Sequence, residues 1–354
     1  MKPLIKTSWQ KEKAQDLPLE VLQNIAANGS FVVIKSDKLF RNFNDKEEKS
    51  QSQNQPENLS ATEIVNQKIK EVHFKSWMEN IAFNLPIIQK SQDISQIQKP
   101  NHQTAIIVGA GPSFKANNHL ELLKNLEGKT IIATDRMFIP LLKAGIIPNF
   151  VMTVDAGSDI ALYYQSELAN ETLPTKAVMA VSIANETIIA FQGKEKFFYT
   201  PMFDDIDLTS SVSLAVSYLT KTSILSTGGN VGVNAIYLAF FLGYKNIILT
   251  GVDLGYTMET AVEQSAYYPA IQAIDPELTP EKFKRLYMIK GHNPGFNLDF
   301  YTDIGWKFQI DNLVAQSENM ASKGTNLINS TEGGAVWGGA IKCLPLSKAL
   351  CDYE

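Results

Sequence analysis

Cysteine is nearly missing: Cys343 and Cys351 are the only two in 354 residues, both near the C-terminus and without metal-ligand partners at usable spacing. That points to reduced thiols and away from a thiolate metal site. Positive charge is not in excess either. With 32 Lys and Arg against 37 Asp and Glu, the net charge is −5, which gives no reason to expect nucleic-acid binding. Nor is there an apolar run long enough to span a bilayer, because Val231 to Gly243 is too short and carries Asn234. The start of the chain, MKPLIKTSWQKEKAQD, has no apolar core of signal-peptide type, so the expected location is the cytoplasm.

Two common nucleotide fingerprints are incomplete. A dinucleotide turn of the form G-x-G-x-x-G asks for glycine where Phe114 stands, which disfavours an NAD or FAD site. The Gly-Lys-Ser/Thr of a Walker loop is missing as well.

What is present is a globular composition, 44% hydrophobic and 19% charged, with length enough for one large or two ordinary domains. The organising stretch is Thr104 to Asn118, TAIIVGAGPSFKANN. Its unbroken apolar run predicts a strand buried on both faces, as in a parallel sheet. Gly109 and Gly111 then let another group approach the main chain closely, Pro112 suits a helix start and Ser113 suits a cap. Amide groups at a positive helix end suit a phosphate.

Taken in order, residues 1–40 predict a small N-terminal α+β region, with a helix around 17–27 and a strand at 30–35. Residues 41–62, rich in Asn, Gln, Ser and charge, predict a flexible polar linker. A helical lead-in over 63–103 follows, its helix ending at or just after Pro86. From Thr104 onward, apolar strands and helices alternate with short turns, and residues 104–354 form the main domain. The expected fold class is α/β, a doubly wound, mostly parallel Rossmann-like sheet.

Three expected strands end in aspartate: Asp135, Asp155 and Asp253. Ligands of open parallel sheets bind beyond the carboxyl ends of strands, so these carboxylates are candidates for the crevice that also holds the Gly109–Ser113 turn. Residues 254–300 read as an insertion, either a lid or an exposed hairpin, with Tyr256, Tyr267 and Tyr268 early in it and a turn at Lys290 to Gly295. Tyr301 to Asp303 is expected to open a helix, and Leu327 to Gly334 to be a strand running into a polar glycine turn.

Five motifs in order carry a family resemblance: Ile106 to Ser113, Ala144 to Asp155, Gly228 to Val231, Leu249 to Leu254 and Asn329 to Ala335. Together with Asn80 to Pro86 they resemble the Maf-type motility-associated flagellin glycosyltransferases, over roughly 77–339. That superfamily includes archaeal 6-hydroxymethylpterin diphosphokinases, and its core is similar to bacterial sialyltransferases. The resemblance departs at Phe114, where Leu is usual.

What the resemblance implies is a glycosyltransferase with a CMP-activated nonulosonic acid as donor and a hydroxyl acceptor, such as Ser or Thr of flagellin. On that reading Gly109, Gly111, Pro112 and Ser113 hold the donor phosphate, helped by Gly228 and Gly229. Asp135 or Asn230 contacts ribose or base, and Tyr267 and Tyr268 donate to the leaving phosphate. Asp155 and Asp253 orient the sugar or bind a metal. The base is His292, an imidazole that can take up a proton, or alternatively Glu332. The rival reading is a pterin diphosphokinase, in which Asp155 and Asp253 hold Mg²⁺ on ATP. A non-catalytic binding module on the same scaffold is the third.

Overall fold

The computed structural model describes residues 61–98, 101–124, 126–204 and 211–353. The expected helix at 17–27, the strand at 30–35 and all but the end of the linker at 41–62 lie outside the described residues. Strands run in chain order β1 (Gln92–Asp93), β2 (Thr104–Val108), β3 (Thr130–Thr134), β4 (Phe150–Thr153), β5 (Lys176–Ala180), β6 (Lys196–Pro201), β7 (Ile224–Leu225), β8 (Asn246–Thr250), β9 (Met288–Asn293), β10 (Leu298–Asp303), β11 (Asn326–Asn329) and β12 (Lys342–Cys343). Helices alternate with them, and the α/β, mostly parallel, Rossmann-like class expected from the alternation is the one observed.

The chain divides into two compact units. One comprises Met1–Gln98 with Val151–Asn230, the other Lys99–Phe150 with Val231–Glu354. The helical lead-in therefore shares a unit with residues from the middle of the chain.

In the first unit β1, β6 and β5 are parallel neighbours, and the short β7 pairs with β6. The helix Ala61–Ile88 carries Pro86 in its last turn and ends just after it, where the sequence placed its end. Its amides explain the Asn80 to Pro86 motif. Asn80 Nδ2 donates to the carbonyls of Ala156 (3.2 Å) and Ser182 (2.9 Å), and Asn84 Nδ2 to that of Ile183 (2.9 Å). The two asparagines thus tie down the chain just past the carboxyl ends of β4 and β5.

In the second unit the order is β3–β2–β8–β11–β12, all parallel. The chain moves from β2 outward to β3 and later resumes on β2's other side with β8. Strand order therefore reverses between β2 and β8, the position at which open α/β sheets bind ligands. Both faces of these strands are covered. Ile106, Val108, Ile131, Ala133, Ile248 and Ile328 pack with Phe114, Leu141 and Leu346, and the apolar helix Val231–Phe241 lies against β2, β3 and β8. Double coverage is why β2 and β8 read as uninterrupted apolar runs.

The insertion departs from expectation. Lys290 to Asn293 is strand, not turn, because β9 and β10 form an antiparallel hairpin in which Lys290 pairs with Tyr301 and His292 with Asp299. Tyr301 to Asp303 accordingly ends β10 rather than opening a helix. The helix Ile304–Ser322 starts one residue later, with the Asp303 carboxylate accepting the Trp306 amide as its N-cap. Among the described residues no helix is long and apolar enough to cross a membrane.

Candidate active site

The loops that leave β2 and β8 interlock. Gly109 N–H donates to the Thr250 carbonyl and Gly111 N–H to the Gly251 carbonyl, both at 2.8 Å, extending the parallel ladder past the strands. Gly251 has φ +64°, and a side chain on Gly111 would place its Cβ 2.5 Å from Asp253 Oδ1. Glycine is required here by the closeness of two protein backbones.

Asp253 takes the position an anion would occupy at the start of the helix Pro112–Ala116. Its Oδ2 accepts the Ser113 amide at 2.9 Å and its Oδ1 the Ser113 hydroxyl at 2.5 Å. Only 5% of Asp253 is exposed, and no Lys, Arg or His pairs with it among the described residues. Burial pushes its carboxyl up to about 6, against the lowering effect of the two bonds from Ser113. The amides of Gly109, Gly111 and Ser113 expected to hold phosphate are thus engaged within the protein, and Pro112 has none to offer.

The loop after β11 closes on the same cluster. Ala335 N–H donates to the Asp253 carbonyl at 2.7 Å, and a Cβ on Gly333 would stand 2.9 Å from Ser113 Cβ. Glu332 lies on this loop with φ +53°. Its Oε1 accepts the Leu346 amide at 2.9 Å and faces His119 Nε2 at 3.1 Å. His119 is fully buried, with Nδ1 2.6 Å from Thr250 Oγ1. Burial lowers its pKa, opposed by the hydrogen bond and charge of Glu332. Two further hydroxyls at carboxyl ends, Ser330 after β11 and Thr134 at the end of β3, are buried without a hydrogen-bond partner among the described residues.

The other expected residues divide. Asp135 is buried at the start of the helix Asp135–Lys143, where its Oδ1 accepts the Arg136 amide at 2.8 Å. Asp155 lies just past β4, and Gly228, Gly229 and Asn230 precede the helix Val231–Phe241, with Gly229 at φ +83°. These four belong to the first unit. His292 is exposed on the hairpin, and its Nδ1 bonds Asp299 Oδ1 at 2.8 Å. That contact and Lys290 lower the Asp299 pKa.

Tyr268 is in the core of the insertion, edge-on to Phe283, and donates its hydroxyl to the Leu278 carbonyl at 3.2 Å; this commits it to packing rather than to a phosphate. Tyr267 is half-buried beside Trp306, which Tyr256 stacks at 4.6 Å. Tyr256 also donates to Asp303 at 3.0 Å, and burial pushes that carboxyl up to about 6.

Among the described residues no group of three or more His, Cys, Asp or Glu is arranged to hold a metal ion. Of the two metal candidates, Asp253 is nearly fully buried and accepts one hydrogen bond from Ser113 on each oxygen. A separate cleft of about 580 Å³ in the first unit is lined by Tyr164, Gln165, Asn170, Glu167, Glu186 and Ile189 among others, with no cation, and does not suit a phosphate.

A parallel sheet with interlocked loops at its order reversal, a buried carboxylate and a second, partly open one defines the class as a Rossmann-like α/β protein with an active-site-like carboxyl edge. The chain belongs to the MptE-like family: the family model described as 6-hydroxymethylpterin diphosphokinase MptE-like matches residues 75–259. Among solved structures it resembles a MAf glycosyltransferase from Magnetospirillum magneticum AMB-1, with a TM-score of 0.51 and 16% identity over 82% of this chain and 43% of that one. This likeness shows the fold, and the chain spans less than half the length of that protein. No curated protein sequence matches it.

His119 is the site residue that sequence reasoning missed. A single histidine after two asparagines has no periodic or spacing signal, and its partners are 131 and 213 residues away.

Proposed function

We propose that the chain is a glycosyltransferase that moves a nonulosonic sugar from a CMP-activated donor to a hydroxyl acceptor, of the kind that flagellin Ser or Thr presents. The observation that carries this reading is Glu332. It stands on the loop that packs against Ser113 at the strand-order reversal, it is held through one oxygen only, and its side chain is 30% exposed. A carboxylate so placed can accept a proton from an alcohol. As the acceptor oxygen bonds to the anomeric carbon, the bond from that carbon to phosphate oxygen breaks. The electron pair leaves with CMP, and the hydroxyl proton goes to Glu332.

Asp253 shapes the edge from within by fixing the turn through Ser113. The amides of the Gly109–Ser113 turn are engaged within the protein, so they are not the groups that hold the donor phosphate. Asp135, at the start of the helix after β3 and in the same unit as Glu332, contacts the nucleoside. Glu332 is preferred over His292 as base because His292 lies out on the hairpin. The fold likeness to the MAf glycosyltransferase covers more of the chain than residues 75–259 and supports the glycosyl-transfer reading.

The family description favours a second reading, diphosphoryl transfer from ATP to a hydroxymethyl pterin. Mass spectrometry after incubation with CMP-pseudaminic acid and a Ser/Thr peptide tests the first reading. A peptide heavier by one sugar residue, lost in Glu332→Gln, supports it. Pyrophosphorylated pterin from ATP and no glycopeptide contradicts it.

A further inference from the structure

We propose that His119 is a positioning residue of this site, holding Glu332 so that one carboxylate oxygen stays open to the acceptor hydroxyl. The inference rests on the reading of Glu332 as base. His119 is fully buried and so touches no substrate, yet both ring nitrogens are used. A carboxylate only accepts, so the proton sits on Nε2 and points to Glu332; the Thr250 hydroxyl then donates to Nδ1.

The chain of bonds thus runs from the last residue of β8, through the imidazole, to the loop after β11. Thr250 also receives the Gly109 amide on its carbonyl, which joins the glycine turn to the same array. The second donor on Glu332, the Leu346 amide, meets the same Oε1, so Oε2 has no hydrogen-bond partner among the described residues.

The backbone of Glu332 is over-determined as well. Its φ of +53° is one that residues with side chains rarely adopt. Asn117, two residues before His119, holds it there by donating Nδ2 to the carbonyls of Thr331 (3.1 Å) and Glu332 (3.2 Å). Phe114 packs edge-on to the imidazole at 6.0 Å, which places the ring that departs from the family pattern directly against the histidine. A base fixed in this way gives up little rotamer freedom when it engages the acceptor.

The test uses the full-length protein with CMP-pseudaminic acid and a Ser/Thr peptide, following CMP release. His119→Phe is expected to lower kcat roughly 10- to 100-fold while leaving KM for the donor within about twofold. His119→Gln, whose amide can still donate to Glu332, recovers most of the loss. On a Glu332→Gln background His119→Phe adds nothing. An unchanged kcat, a loss confined to KM, equal losses for Phe and Gln, or multiplying losses in the double variant would each overturn the proposal.

If the wild type releases no CMP, the glycosyl-transfer reading falls, and nitrogen-15 NMR of the imidazole decides the positioning separately. A neutral ring protonated on Nε2, shifted by Glu332→Gln, supports it. A ring protonated on Nδ1, or one indifferent to that substitution, overturns it. The same spectra of His119→Gln show whether a variant is folded.

Discussion

Replacing Asp253 by Asn should stabilise the protein at neutral pH. The carboxyl is pushed up to about 6 from an ordinary 3.8, so between those values the folded state binds a proton that the unfolded chain has released. For such a group the stabilising contribution is complete below pH 3.8 and is lost as pH rises through about 6. A rise of that size corresponds to about 3 kcal/mol, the cost of holding the buried carboxylate ionised at about pH 7.5. Asn keeps the shape, an oxygen for the Ser113 amide and an NH₂ for the Ser113 hydroxyl, without the charge. Thermal unfolding followed by circular dichroism from about pH 4 to 8 should show Asp253→Asn melting several degrees above wild type at the alkaline end, the gap closing towards the acid end. Asp253→Ala, which leaves the Ser113 donors buried and unpaired, should instead melt lower at both ends. An Asn variant less stable than wild type above neutrality, with a gap that widens as pH rises, would refute the reasoning, because it would mean the charged bonds to Ser113 outweigh desolvation. Protein interiors seldom retain an ionised carboxylate without a cation unless function uses it, so the stabilised variant should also transfer more slowly.

The other predictions concern the frame of the site. Gly251→Ala meets both a left-handed φ and the Gly109 backbone, and should cost about 2–4 kcal/mol, read as a fall in urea midpoint without change in m. Asp303→Ala removes the cap of the helix Ile304–Ser322 and leaves the Tyr256 hydroxyl without its acceptor, for a loss of about 1–3 kcal/mol by the same measurement. Asn80→Ala frees the carbonyls of Ala156 and Ser182; about 1–2 kcal/mol of stability should go, and hydrogen exchange should speed up around Ala156 and Ser182.

Some of this was legible in the chain and some was not, for physical reasons. β2 and β8 are covered on both faces, so their burial writes itself as unbroken apolar runs, and the glycines and proline after β2 mark a strand-to-helix turn whatever fills it. The filling could not be read. Asp253 was visible as a strand-end carboxylate, but its partner Ser113 is 140 residues away, and the same turn would suit a phosphate equally well. A hairpin was one of two readings of the insertion, but its strands were misplaced: Gly291, Pro294 and Gly295 give Lys290 to Gly295 the composition of a turn, while the regularity of β9 comes from pairing with residues up to Asp303. Tyr268, which the resemblance offered as a donor to the leaving phosphate, follows the same lesson: it stands before a proline- and charge-rich stretch, and only the folded insertion reveals it as core.

Calorimetric titration of the protein with CMP and with ATP, each with and without Mg²⁺, separates glycosyl transfer from diphosphoryl transfer. A glycosyltransferase of this kind should bind CMP without Mg²⁺ and lose that binding in Gly111→Val, whose side chain forces Asp253 and the interlocked loops apart. Mg²⁺-dependent ATP binding with no heat from CMP would contradict it and make diphosphoryl transfer the function of this site.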